Sequence, residues 1–155
     1  MTTLRRAAGP GDYARAAALF RAYAATLGFA LDFQDFDREL ATLPGAYAEP
    51  GGCLLIAEES GEAVGCVALR PLDAPDVCEM KRLYIAPGSR GRGVGRLLAE
   101  GVVAEARARG YSRMRLDTVP GMDAAIALYR RLGFVEIAPY RHNPIPGALY
   151  FELRL

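Results

Sequence analysis

The chain has little with which to ligate a metal, cross a membrane or hold a polyanion. His142 is its only histidine, and Cys53, Cys66 and Cys78 form no Cys-x-x-Cys pair. No spacing for a structural zinc site results, and no metal is expected. The odd, scattered thiols lie in apolar, strand-like runs. They read as small buried hydrophobes of a reducing compartment, not as a disulfide framework. No apolar run reaches the roughly 18 residues of a membrane helix. Met1-Thr2-Thr3-Leu4-Arg5-Arg6 lacks the apolar core of a signal peptide. A cytoplasmic location without a membrane partner is the expectation. Charge of one sign is missing too: 19 Lys and Arg against 18 Asp and Glu give a formal net charge of +1. Nucleic-acid binders usually show a basic excess or stripe, so no nucleic-acid partner is expected.

What the chain does have is the material of one core. Its 155 residues are 52% hydrophobic and 24% charged, the balance of a soluble globular protein. With no internal repeat or low-complexity linker, residues 1–155 read as a single domain. Residues 2–7 suit a short strand. Gly9-Pro10-Gly11-Asp12 then breaks it, with Asp12 placed to cap a helix over 13–27 whose apolar stripe is Leu19, Phe20, Tyr23 and Leu27. A second helix is expected over about 35–43. Cys53–Glu58 and Ala63–Leu69 read as strands of a hairpin turning at Ser60-Gly61. Val77–Ile85 is a third strand, ended by Ala86-Pro87. A helix over about 94–108 follows, with Val94, Leu97, Leu98 and Val102 as its stripe and Gly110 as C-cap. Residues 111–119 suggest a strand, 122–132 a helix, and 134–138 with 148–154 a closing strand pair. The fold class is α/β (α+β), a central twisted mixed sheet flanked by helices.

The most informative stretch is Arg90-Gly91-Arg92-Gly93-Val94-Gly95, set between a strand and an amphipathic helix. Glycines let backbone N–H groups converge on an anion, and the helix start adds its own free donors and positive dipole end. A pyrophosphate fits this arrangement. A Walker A loop is excluded because no lysine follows the glycines. A dinucleotide fingerprint fails in both frames, at Arg96 and at Leu98.

These residues match the Arg/Gln-x-x-Gly-x-Gly/Ala signature of the GNAT acetyltransferases. Leu83-Tyr84-Ile85-Ala86-Pro87 resembles the family's strand that pairs with the pantetheine arm of coenzyme A. Ala127-Leu128-Tyr129-Arg130-Arg131-Leu132-Gly133-Phe134 resembles its helix-to-strand signature. The resemblance covers nearly the whole chain and implies a GNAT-type fold with acetyl-CoA as cosubstrate. It implies that Leu83 and Ile85, on either side of Tyr84, bond the pantetheine amides through their backbones. Gly91, Arg92, Gly93, Val94, Gly95 and Arg96 would cradle the pyrophosphate with N–H groups. Arg90 and Arg92 either add charge near the phosphates or stay solvated. Asp117-Thr118 falls where such enzymes splay neighbouring strands to admit the cofactor, with Asp117 in place of a common asparagine.

Acetyl transfer to an amine needs a neutral nucleophile, donors for the oxyanion and a proton for the thiolate. With an alkylammonium pKa of about 10, roughly one amine in a thousand is free at neutral pH. Glu79 is the candidate base: strand alternation puts it on one face with Leu83 and Ile85, and a glutamate serves as base in this strand in the histone-acetyltransferase branch of the family. The other reading of Glu79 is an ion-paired glutamate beside Lys81, which would favour its charged form. Tyr129 is the candidate acid toward the coenzyme A sulfur, or else a buried aromatic. A backbone N–H near Leu83 is the expected oxyanion donor.

The acceptor pocket is expected to draw on Phe20, Tyr23, Phe29 and Phe33 and on the loop Tyr140-Arg141-His142-Asn143-Pro144. That loop reads either as a shaped polar element or as a connector. No acidic cluster awaits a polycation, so the expected reaction is direct attack, in a ternary complex, by the primary amine of a small-molecule or amino-acid-like acceptor. Protein or peptide acetylation and non-catalytic coenzyme A binding are the alternatives. A homodimer is expected, with Tyr150, Phe151 and Leu153 serving either an interface or the core.

Overall fold

The computed structural model of the chain describes residues 1–28 and 35–155. In chain order the elements are β1 (Thr2–Arg6), α1 (Gly9–Thr26), α2 (Phe36–Ala41), β2 (Cys53–Glu59), β3 (Glu62–Pro71), β4 (Val77–Ile85), α3 (Val94–Ala108), β5 (Arg113–Thr118), α4 (Asp123–Arg131), β6 (Val135–Ile137) and β7 (Leu149–Arg154). The strands form one seven-stranded sheet in the order β1-β2-β3-β4-β5-β7-β6. Every ladder is antiparallel except β4–β5, which α3 links as a crossover. The β2–β3 hairpin turns where expected, with Ser60 at φ 52° and Gly61 at φ 80°, the paired left-handed conformation of a type I′ turn.

Helix α1 starts earlier than the glycines and proline suggest. Pro10 lies in its first turn, where its missing N–H costs nothing. Asp12 is therefore not the cap residue. Its carboxylate reaches back to the N–H of Ala8 at 2.8 Å and takes the Arg5 guanidinium fork at 2.6 and 2.7 Å. That contact fixes α1 to β1. In α3, Leu98 and Val102 are fully buried while Leu97 turns partly to solvent, so the buried stripe runs through Val94, Leu98, Val102 and Ala106 instead.

The sheet buries two cores. On one face, α3 and α4 cover Leu55, Val67, Leu69, Cys78, Met80, Met114, Leu116 and Phe151. On the other, α1 covers Leu54, Ile56, Cys66, Ala68 and Tyr84. Alternation along β4 is broken between these sets. Cys66 faces Tyr84 and Ala68 faces Lys81, so β4 carries an extra residue over β3 at Arg82-Leu83. This β-bulge has Arg82 at φ 59°, a left-handed conformation costing an arginine roughly 1–2 kcal/mol. The residue is held there by Glu39 of α2, whose carboxylate takes two Arg82 N–H groups at 2.8 Å each, and by the Phe36 ring 5.2 Å from the guanidinium.

The three thiols are buried and unpaired with one another. Burial pushes Cys53 up to about 11 and Cys78 to about 12, which makes them packing residues, not nucleophiles. Tyr150, Phe151 and Leu153 are likewise buried within the chain itself, so they present no surface to a second copy. No helix among the described residues is long and apolar enough to cross a membrane.

Candidate active site

Strands β4 and β5 pair over only a short stretch, from Val77 opposite Arg113 to Glu79 opposite Arg115. Beyond Glu79 they diverge. The gap is lined by Lys81, Arg82 and Leu83 on β4, by Leu116, Asp117 and Thr118 on β5, and by Tyr23 and Tyr129 from the helices. Residues of both sheet faces line it, so the cleft opens through the sheet.

The open edge of β4 offers backbone groups to a ligand. The Ala86 N–H bonds the Val64 carbonyl at 2.8 Å. In an antiparallel ladder successive residues point their backbone groups to opposite sides, so Tyr84 and Ala86 serve β3 while Leu83 and Ile85 face the gap. The Ile85 carbonyl there accepts from Arg90 Nε at 2.9 Å, and the Arg90 guanidinium lies 5.7 Å from the Tyr84 ring centre.

The glycine turn follows directly. Gly91 and Gly93 stand at φ 78° and 82°, conformations that glycine adopts freely. Gly95 instead faces β4, where a Cβ would approach Ile85 Cδ1 to 3.1 Å. The first backbone bond of α3 is from Leu97 N–H to Gly93 carbonyl. Among the described residues the N–H groups of Gly91 to Arg96 donate to no carbonyl, leaving a row of donors at a helix start. The arginine side chains do not converge on that row. Arg92 pairs with Glu59 at 2.7 Å, Ser89 Oγ bonds the same carboxylate oxygen at 2.9 Å, and Arg96 pairs with Glu100 at 3.3 Å. Glu59 thus tethers the turn to β2, and the donor row is made of backbone.

Glu79 does not share a face with Leu83 and Ile85. The bulge between them restores those two to the α3 side, while Glu79 points to the α1 side. It is fully buried, at 0% exposure. Its Oε1 accepts from Arg70 Nε at 2.7 Å, and its Oε2 from the Tyr140 hydroxyl and Arg141 at 2.5 Å each. Burial alone would raise its pKa, but the charges of Lys81, Arg70 and Arg141 and the Tyr140 hydrogen bond outweigh it and hold the carboxyl below its ordinary range. Both oxygens are engaged and the proton affinity is low, which suits an anchor better than a proton acceptor.

That anchor is what the late loop fastens to, so the loop is a shaped polar element. The guanidiniums of Arg115 and Arg141 lie over the Tyr140 ring, at 5.6 and 5.3 Å from its centre, and the ring is edge-on to Tyr150. The Tyr150 hydroxyl donates to the Arg141 carbonyl at 2.9 Å. Asn143 accepts the Ile145 N–H at 3.0 Å, which orients its amide to donate to Asp117 Oδ2 at 3.2 Å. His142 is exposed. The sequence pattern marked the loop, but nothing in it named Glu79 and Asp117 as its docking points.

Tyr129 lies on the cleft wall, its ring against Phe134 and Phe151, and burial pushes its hydroxyl pKa up. Its hydroxyl therefore stays protonated at neutral pH. Tyr23 also reaches the cleft, packed edge-on to Tyr84 at 6.2 Å. Phe20 does not. It is buried under α1 against Tyr47. Phe29 and Phe33 lie outside the described residues.

A mixed sheet opened between two parallel strands, with a row of backbone N–H donors at a helix start beside the opening, suits an acyl-coenzyme A-dependent transferase. The model of the Acetyltransferase (GNAT) family matches residues 16–134, and the chain belongs to that family. An uncharacterized N-acetyltransferase of Schizosaccharomyces pombe is 43% identical over 138 residues, spanning 88% of this chain and 85% of that protein. The N-acetylaspartate synthetase of Xenopus tropicalis is 33% identical over 113 residues, spanning 68% of this chain and 42% of that protein. Among solved structures, a Klebsiella pneumoniae protein named as an acyl-CoA N-acyltransferase superposes with a TM-score of 0.77 at 34% identity, covering 100% of this chain and 98% of that one. The chain is accordingly an acyl-CoA-dependent N-acetyltransferase.

Proposed function

We propose that the protein transfers an acetyl group from acetyl-CoA to the primary amine of a small-molecule or amino-acid-like acceptor, by direct attack in a ternary complex. The observation that carries this reading is the continuity of two backbone surfaces left outside the ladders and helix bonds, the β4 edge at Leu83–Ile85 and the N–H row at Gly91–Arg96. An extended amide-bearing arm on the first and a pyrophosphate on the second describe coenzyme A, with the thioester delivered into the gap between β4 and β5.

Within that frame the residues divide the work. The β4 edge orients the pantetheine, and Ile85 exchanges its Arg90 contact for a cofactor amide. A backbone N–H near Leu83 polarises the thioester carbonyl. Tyr129 protonates the leaving sulfur. The acceptor enters from the α1 side, over Tyr23, Asp117 and the Glu79-anchored loop. The name of the Xenopus relative, an N-acetylaspartate synthetase, supports an amino-acid-like acceptor. The paired cations and carboxylates of this side suit a small zwitterion.

Calorimetric titration with acetyl-CoA tests the reading, alongside Gly93→Glu. Gly93 has open space around a Cβ but a φ of 82°, so the variant places a strained carboxylate against the phosphate row. The expected result is wild-type binding that the variant loses, followed by thiol release with small amines. Wild-type protein that binds no acetyl-CoA at millimolar concentration refutes it.

A further inference from the structure

Lys81 is the only lysine in the chain; every other permanent side-chain cation is arginine. It occupies the one place where that difference has chemical meaning. It is the first β4 residue past Glu79 on the acceptor face, just where β4 has left β5 and just before the bulge at Arg82. It is buried, and it lines the cleft with Asp117, Thr118 and Tyr129. A guanidinium keeps its proton under all biological conditions, whereas an ammonium can surrender it when its surroundings disfavour charge. The site needs such a group, because Glu79 is held ionised with both oxygens occupied.

The charged groups around Lys81 among the described residues come from every neighbouring element. Arg82 and Glu79 flank it on β4, Asp117 faces it from β5 and Arg141 from the late loop, while Tyr23 and Tyr129 stand on the helical walls. Burial and the two arginines outweigh the two carboxylates and push the Lys81 ammonium down to about 8. That is close to the operating pH, where a general base is most effective.

We propose that Lys81 is the general base that takes the proton of the acceptor ammonium as its nitrogen attacks the thioester carbonyl. The inference rests on the acetyl-transfer reading. The acceptor ammonium gives one proton to the neutral Lys81 amine. The C–N bond forms and the C–S bond breaks, leaving its electron pair on sulfur. The second proton from the attacking nitrogen ends on that sulfur by way of Tyr129, giving the amide and the free thiol. Lys81 then returns its proton to water through the open cleft.

The single lysine makes the test direct. In protein grown with [ε-¹³C]lysine, one side-chain resonance reports Lys81 without any ligand, and its titration midpoint is expected near 8. A midpoint at or above 10 leaves Lys81 charged throughout and overturns the proposal. For catalysis, Lys81→Met and Lys81→Arg are compared with the wild type on the amine returned by thiol release. Both variants are expected to lose about 10²–10⁴-fold in kcat/KM near neutrality, with acetyl-CoA binding unchanged and the inflection near pH 8 abolished. Recovery of activity in Lys81→Arg would show that only the positive charge matters, and wild-type pH profiles in both variants would show that Lys81 takes no proton; either outcome overturns it. A wild type that fails to bind acetyl-CoA removes the transfer reading, while the resonance still reports on Lys81 itself.

Discussion

A lysine ammonium buried inside a protein is a liability to folding, and the size of that liability follows from the site. Lys81 titrates near 8 in the fold against an ordinary value of 10.5, and each unit of difference corresponds to about 1.4 kcal/mol. A group whose folded pKa is depressed below its unfolded one binds fewer protons in the native state. Stability then rises with pH between the two values and is flat outside them. The cost at pH 7 is accordingly about 3 kcal/mol, relieved progressively between about pH 8 and 10.5. Lys81→Met keeps most of the volume and removes the charge, so it should be more stable by about 3 kcal/mol at pH 7, or about 6–12 °C in Tm for a chain of this length. Urea denaturation of both proteins from pH 6 to 10.5 measures this, and the difference between the two curves cancels the tyrosines and the α-amino group. The gap should close as pH rises past 8. Parallel curves, or a variant less stable at pH 7, would refute the reasoning.

Other perturbations test the remaining parts of the site. Glu79→Gln removes the anion shared by Arg70, Tyr140 and Arg141; a loss of about 2–4 kcal/mol is expected at pH 7 by chemical denaturation. Because the Glu79 pKa is depressed in the fold, that loss should persist above about pH 4.3 and shrink as the wild-type carboxyl protonates below it. Glu39→Ala strands the buried Arg82 guanidinium beside the bulge and should cost about 3 kcal/mol, with weaker acetyl-CoA binding by calorimetry because Leu83 loses its register. Tyr129→Phe keeps the ring contacts with Phe134 and Phe151. It should lower kcat by about 10²-fold or more, with thermal stability changed by under about 1 kcal/mol.

The order of strands and helices was legible because each has a local signal. The type I′ pair at Ser60-Gly61, the Pro87 stop and the Gly110 cap each act within a few residues of the element they bound. The glycine turn was legible for the same reason, since both its conformation and its helix are written in Arg90–Gly95. Glu79 was misplaced because strand alternation assumes an unbroken strand, and the bulge at Arg82 carries no glycine to announce it. Its left-handed backbone is held by Glu39, distant in sequence, through a contact that exists only after folding. Asp12 was misassigned by a milder version of the same problem. Its partner Arg5 belongs to another element, and the helix it was expected to cap already begins at Gly9. Lys81 was read only as a neighbour of Glu79, because its burial in the cleft comes from the fold and nothing local in a charged residue next to Arg82 predicts that.

The brief contact between β4 and β5 makes the sheet a seam. Ladder bonds join the two halves only from Val77 to Glu79, and the chain passes from one half to the other through α3 and the turn at Gly110. Gly110 is exposed, with a φ of 84°, so a cut there falls outside every strand and leaves each half with its own hairpins. A pair of polypeptides divided at that turn therefore carries the two sheet edges, β4 and β5, that pair in the whole chain. In the binding mode proposed above the cofactor spans that seam as a rivet, so reassembly of the halves is expected to tighten as acetyl-CoA is added.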